Sequence, residues 1–309
     1  MKRMFLLCVT AMSLTAVLCS CGNENHEAER SWPTTVEYSH LNDPETRQLL
    51  EDLLEAVPVA ERERRVLFQK IDEINSYLKP EELTDGFEER SITETLYDPY
   101  EIQERWEADH PDFPGYNCRI TAFSLMNPLI RLDVSEDLSD QDAVMMDLVS
   151  LEEDGSAFRT EAQWKQFVTF YAGIETEDTK DTAVHVEQIQ NSWGERGVSF
   201  LPGGASLISV FLHDQIDGDR LFIGHTGILM ESEGQLYFLE KLSFQEPYQL
   251  VQVDSRGELS DYLMTKYDVE FNQPTASPII LENDELLEGY RVRPPHQPSG
   301  EGSFEPWAE

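Results

Sequence analysis

Three residue types in this chain are placed where a thiol could be made reactive. Cys118 lies in Asn117-Cys118-Arg119-Ile120-Thr121-Ala122-Phe123-Ser124-Leu125-Met126, directly after the Pro- and Gly-containing stretch 111–116. The segment is apolar over most of its circumference, which predicts a centrally buried helix with Cys118 at its N-terminus. There the unpaired N–H groups and the macrodipole favour the thiolate, the nucleophilic form of cysteine. A structural free cysteine would more naturally sit mid-helix on an apolar face.

A thiolate nucleophile needs a histidine. His40, His110, His185, His213 and His296 read as polar or loop-like in context, whereas His225 lies within Phe222-Ile223-Gly224-His225-Thr226-Gly227-Ile228-Leu229-Met230. The flanking glycines leave room for another side chain to approach closely. The next apolar run, Gln235-Leu236-Tyr237-Phe238-Leu239-Glu240, follows a tight connection at Glu231-Ser232-Glu233-Gly234. If Glu231 and Gly234 flank a two-residue turn, His225 faces Glu240 directly and the carboxylate can orient the imidazole. A three-residue loop with a glycine bulge would place Lys241 there instead. The first register is the preferred expectation. It gives Cys118 as nucleophile, His225 as general base and acid, and Glu240 as orienting acceptor. The Cys118 N–H is one candidate oxyanion donor, and Asn117, Tyr116 or Asn75 could supply another.

Cysteine on a helix N-terminus, histidine on a strand and an acceptor on the next strand is the order of parts in papain-like thiol hydrolases. His225-Thr226-Gly227-Ile228-Leu229 is similar to the His-Val-Gly-Ile-Tyr strand of NlpC-type cell-wall peptidases, and the Cys, His, acid order resembles that of transglutaminase-like domains. Two departures stand out. The 107 residues from Cys118 to His225 require an extra helical insertion. Asn117-Cys118-Arg119 replaces the usual Asp-Cys-Ser of the NlpC branch, which leaves the substrate class open. Taken with a lipobox, Gly115-Tyr116-Asn117-Cys118-Arg119, Gly224-His225-Thr226-Gly227 and Leu239-Glu240-Lys241 resemble an uncharacterised bacterial lipoprotein family, domain of unknown function 4300. That resemblance supplies no activity. Asn191-Ser192-Trp193-Gly194 copies the tetrapeptide around papain's orienting asparagine, but it precedes His225 and reads as a helix end.

The elements that must position these groups divide the chain. Residues 1–20 read as a signal peptide, Met1-Lys2-Arg3 followed by an apolar run of about 15 residues, too short to span a ~30 Å hydrocarbon core. Leu18-Cys19-Ser20-Cys21 matches the bacterial lipobox, which implies diacylated Cys21 as the mature N-terminus and an anchor on the outer face of the cytoplasmic membrane. Cys8 and Cys19 leave with the signal, so Cys118 remains as the mature thiol and no intrachain disulfide can form. Residues 21–35 read as a tether. Residues 36–293 read as one α+β domain with a papain-like core, a buried helix packed on an antiparallel sheet. It is helical over 36–194 and sheet-rich over 195–293, and 294–309 reads as a disordered tail. Helices are expected at 43–54, 59–78, 101–108, 140–151, 160–172, 182–193 and 258–266, with strands at 205–212, 221–230, 235–242, 248–253, 278–281 and 290–292.

Sixty acidic against 23 basic residues give a formal charge of -37 in 309 residues. A surface so acidic repels phosphate backbones, which excludes a nucleic-acid partner. No paired Cys/His spacing suggests a metal, no glycine loop cradles phosphate, and Asp137, Asp140 and Asp142 lack the remainder of a calcium loop. No cofactor is therefore expected. Membrane contact runs through Cys21 alone, and the oligomeric state is left open. The composition and motifs lead to two expectations. One is a surface thiol hydrolase, an amidase or peptidase acting on cell-wall peptide or another extracellular amide. The other is a non-catalytic lipoprotein that binds a ligand or protein partner with the same fold.

Overall fold

A computed structural model describes residues 31–135, 138, 141–216, 218–268 and 273–294. The residues read as signal peptide and lipobox, Cys21 included, and the stretch beyond 294 lie outside the described residues, as does His296.

The chain begins with strand β1 (Thr35–Ser39), then helices α1 (Pro44–Glu55) and α2 (Glu61–Asn75), strand β2 (Glu88–Ser91), and helices α3 (Pro99–Asp109) and α4 (Cys118–Met126). Strand β3 (Ile130–Arg131), helices α5 (Met145–Glu153) and α6 (Glu161–Tyr171), strand β4 (Ile174–Glu175), helix α7 (Thr182–Glu195) and strand β5 (Ser199–Phe200) follow. The long strands come next: β6 (Ala205–Asp214), β7 (Arg220–Ser232), β8 (Gln235–Lys241) and β9 (Tyr248–Val253). Helix α8 (Arg256–Tyr267) and strands β10 (Ile279–Glu282) and β11 (Glu285–Leu286) complete the order.

Short polar side chains set the helix starts. Asp43 accepts from the Glu45 and Thr46 amides ahead of Pro44, and Asp98 from Tyr100 ahead of the helix that opens with Pro99. Thr160, Asp181 and Ser255 cap α6, α7 and α8 in the same way. Each satisfies an amide that helix geometry leaves unpaired, and proline loses nothing at the first position.

The main sheet runs β11-β10-β6-β7-β8-β9-β1-β2, with β4 beside the start of β7, and the pairs are antiparallel. Its faces follow the two-residue period of a strand. Leu207, Ile228, Leu239, Leu250 and Leu281 point to one face, into a core shared with Leu50, Ile71, Phe123, Phe167 and Trp193 of the helices. Their neighbours Ile208, Leu229, Phe238, Val251 and Ile280 point to the other, against Leu259, Tyr262 and Leu263 of α8. The chain is thus α+β, with α8 covering one side of the sheet and α4 packed on β7 and β8 from the other. Among the described residues no helix is long and apolar enough to cross a membrane.

Several expectations shift. The 21–35 tether overruns into structure, because Thr35 begins β1 and Arg291 stacks on the Trp32 ring at 4.1 Å. Between the helices expected at 59–78 and 101–108, where no strand is expected, β2 forms and hydrogen-bonds along β1. Residues 290–292 form no strand; the turn at Asn283, φ 54°, brings Glu285–Leu286 back on β10 earlier in the chain.

Candidate functional site

The approach to Cys118 is built rigidly. Gly115 has φ +100°, and a Cβ there would lie 2.8 Å from the Phe244 carbonyl oxygen, so only glycine passes under the β8–β9 loop. Tyr116 Oη takes the Ala157 amide at 3.0 Å and donates towards the Asp154 carbonyl, 2.9 Å. Asn117 caps α4, accepting from Ile120 N at 3.0 Å, while its Nδ2 donates to Asp147 Oδ1 at 2.8 Å. The cap fixes the first turn, and the Cys118 and Arg119 amides are ones that helix geometry leaves without an intrahelical partner. Asn117 is thereby tied up as a cap, and Tyr116 and Asn75 are committed too, the latter to the His40 carbonyl. Of the four oxyanion donors considered from sequence, the Cys118 N–H is the one with no such commitment among the described residues.

His225 is aimed by an irregularity. Val210 pairs with His225 but Phe211 pairs with Ile223, so Gly224 is an extra residue bulged out of β7. The bulge swings His225 onto the α8 side of the sheet although Ile223 packs on the other. The expected register does not form. Glu233 and Gly234 both have positive φ, 54° and 84°, as a type I′ turn requires, and the flanking residues are Ser232 and Gln235. Glu240 therefore lies opposite Gly227, not His225, and Lys241 does not face His225 either. The two side chains still meet, diagonally: His225 Nε2 is 2.7 Å from Glu240 Oε2. Gly227 makes this possible. A Cβ there would lie 2.4 Å from the Phe238 ring and 2.6 Å from the Leu239 carbonyl oxygen.

Pairing of β8 with β7 stops at Gly227 and Glu240, and β4 pairs only with Arg220 and Leu221, so the stretch of β7 between them has no strand partner on that side. The start of α4 enters here, with Arg119 Nη1 donating to the Ile223 carbonyl at 3.2 Å, and Cys118 meets the imidazole. Burial alone would push His225 down, but hydrogen bonds with Cys118 and Glu240, reinforced by their charges, carry it up to about 9. Burial likewise pushes Glu240 up, yet the His225 bond, the Lys266 charge and a Tyr262 donor together bring it below its ordinary value. All three groups are enclosed: Cys118 is 6% exposed, His225 and Glu240 1% each.

The stretch of chain that carries all of these elements matches the family model for domain of unknown function 4300 (DUF4300) over residues 37–287. The chain belongs to this family. No curated protein and no solved structure matches it.

In this DUF4300 chain the site has further members that the sequence did not single out. Asp147, fully buried on α5, accepts both arms of Arg119, from Nε at 3.0 Å and Nη2 at 2.6 Å. Tyr262 on α8 donates to Glu240 Oε1, and Tyr267 stacks on the His225 ring, centroids 4.7 Å apart at 23°. Lys241, 2% exposed, sends its ammonium to the Ser243, Phe244 and Glu246 carbonyls and over the Tyr248 ring. Burial pushes it down to about 7, with Glu246 and Cys118 acting the other way. Three carbonyls match the three ammonium hydrogens, so Lys241 clasps the loop that lies over Gly115.

His40, His185 and His213 are more buried than their polar contexts suggest. His40 accepts the Thr84 amide at Nδ1, so its proton sits on Nε2, and burial holds it neutral, down to about 3. His213 accepts the Ala276 amide at Nδ1 and donates from Nε2 to Asp219, 3.2 Å, while His185 bonds Thr176 and Thr179. Asn191 is exposed on α7, and its neighbour Trp193 is core, stacked on Phe170. Among the described residues no three His, Cys, Asp or Glu side chains gather as a metal site.

Proposed function

We propose that this protein is a thiol hydrolase with a papain-like core, an amidase or peptidase that works by acyl transfer through Cys118. The observation that carries this reading is the buried His225 imidazole held between Cys118 and Glu240, with Nε2 2.7 Å from the carboxylate. An imidazole that keeps its proton to about pH 9 beside a sulfur is the partner of a thiolate nucleophile. In the reaction Cys118 sulfur attacks the amide carbonyl carbon, and the Cys118 N–H faces the developing oxyanion. His225 gives its proton to the departing amine, a thioester forms, and water deprotonated by His225 releases the acid and regenerates the thiol. Glu240 keeps the ring oriented and stabilises the imidazolium.

The substrate class and location rest on sequence. The signal, the lipobox and diacylation at Cys21 support an exported protein anchored on the outer face of the cytoplasmic membrane, where cell-wall peptide and other extracellular amides are within reach. The acidic surface weighs against nucleic acid.

A second reading, a non-catalytic lipoprotein that binds a ligand or protein partner, is favoured by one observation, the 6% exposure of Cys118. Site-resolved mass spectrometry of iodoacetamide labelling, on the full chain across pH, separates the two. The hydrolase reading expects labelling of Cys118 below pH 7 that is lost in His225→Ala. Labelling that rises only at the pH of an ordinary thiol, unchanged by the substitution, would overturn it and leave the binding protein.

A further inference from the structure

Glu240 has a difficulty that its position creates. It is paired opposite Gly227, two residues along from His225, so its carboxylate must lean along the sheet to reach the ring. It must also remain ionised while only 1% exposed. A lone carboxylate in that setting has other rotamers open to it.

Helix α8 supplies the selection. Tyr262 Oη donates to Oε1, the oxygen that His225 does not use, so the two carboxylate oxygens have one partner each. Four residues on, Lys266 Nζ lies 5.5 Å from the Tyr262 ring centroid, and its charge acts on Glu240. Five residues on, Tyr267 covers the imidazole. One helix thus touches the acid, balances its charge and caps the base, using three side chains clustered within two turns. Tyr262 is 1% exposed, and burial raises its hydroxyl well above the ordinary range, so it stays a donor.

We infer that Tyr262 is a positioning residue of the site, acting through Glu240: its hydroxyl fixes the carboxylate in the orientation that holds the His225 ring. The inference rests on the Cys118–His225–Glu240 reading of the site, but its test needs no turnover. The charged and titratable groups around the pair are Cys118 on α4, Tyr262, Lys266 and Tyr267 on α8, and Tyr38 and Tyr97, which also sense Glu240.

The test is the NMR titration of the His225 ring in the full chain, in wild type, Tyr262→Phe, Glu240→Gln and the double variant. Tyr262→Phe is expected to move the His225 titration from about 9 towards the ordinary 6.5, and to add no further shift in the Glu240→Gln background. That non-additivity is the mark of action through one partner. A titration left at the wild-type value by Tyr262→Phe, or an equal shift in both backgrounds, would overturn the inference. A purely structural tyrosine would lower stability without moving the ring. Should Tyr262→Phe fail to fold, the wild-type Tyr262 hydroxyl proton serves instead. It should appear as a downfield, slowly exchanging resonance that is lost in Glu240→Gln; its absence from wild type, or its persistence in the variant, would overturn the assignment. Alkylation that is indifferent to His225 would sink the hydrolase reading while leaving these titrations to decide the role of Tyr262 separately.

Discussion

Arg119, the residue after the candidate nucleophile, grips Asp147 with two parallel hydrogen bonds, and Asp147 in turn holds the amide of the helix cap Asn117. The carboxylate is fully enclosed and the Arg119 side chain is only 14% exposed. Losing the acid would leave a guanidinium with few alternatives to desolvation, and would free the cap that starts α4. Asp147→Ala is therefore expected to destabilise the fold by about 3–5 kcal/mol, as removal of one partner from a buried ion pair does. Urea denaturation measures it. The double variant Arg119→Met, Asp147→Leu should cost clearly less than Asp147→Ala alone, because no charge is then left unpaired; a single-variant cost below about 1 kcal/mol would mark the pair as a solvated one.

The His225–Glu240 pair ties stability to pH in a window with defined sides. His225 is raised from 6.5 to about 9, the bonds to Cys118 and Glu240 outweighing burial, so its contribution is complete below 6.5 and lost as pH rises through about 9. Glu240 is lowered from 4.5, the His225 bond leading the effects that outweigh burial, so its contribution is complete above 4.5 and lost as pH falls through its folded-state value. The pair therefore stabilises most between pH 4.5 and 6.5. The stability difference between wild type and Glu240→Gln, which largely cancels the repulsion common to both acidic chains, should be largest in that interval and shrink by a few kcal/mol towards pH 9. Chemical denaturation at a series of pH values reads the difference directly, and a flat profile would show that the two groups do not share charge.

The helices and long strands were legible in the sequence because their signals are local. Asp43-Pro44 marks a capped helix start, the apolar run from Ile120 to Met126 marks a buried helix, and the two-residue alternation over 228–230 and 236–239 places alternate residues in the two cores. Cys118 and His225 could be singled out for the same reason, one at an element's start and the other beside a glycine, whereas Glu240 was reached through a strand register that does not form. The exact relation of the three was not legible. One residue in the placement of the turn, Glu233-Gly234 rather than Ser232-Glu233, moves the pairing by two, and the Gly224 bulge changes the face on which His225 emerges. Arg119, Asp147, Tyr262 and Lys241 were hidden because their meaning is tertiary. Asp147 sits in a helix whose neighbours Met145 and Met146 are exposed, and only the fold brings it to the start of α4. Lys241 enters the sequence reading as the residue an alternative register would set opposite His225, and the three loop carbonyls that close around it are a tertiary feature.

Gly227 gives the sharpest separation between packing and chemistry. It lies directly across from Glu240, and its missing side chain is what the Phe238 ring fills on the α8 side of the sheet. A methyl group there would meet not only that ring, which could rotate, but also the Leu239 carbonyl oxygen at 2.6 Å, which belongs to the neighbouring strand and can move only with the ladder. Gly227→Ala is accordingly expected to cost about 1–3 kcal/mol, the range for overpacking a core, and more if β8 must shift. Because β8 carries Glu240, that shift would also draw the carboxylate away from His225. The variant should thus lose stability and lower the His225 titration together, whereas Gly234→Ala, at the exposed turn, is expected to strain only a positive φ and leave the ring unchanged. Thermal denaturation paired with the histidine NMR titration distinguishes the two. A Gly227→Ala protein as stable as wild type, with His225 still titrating near 9, would mean that the sheet tolerates the methyl group and that the glycine does not set the diagonal contact.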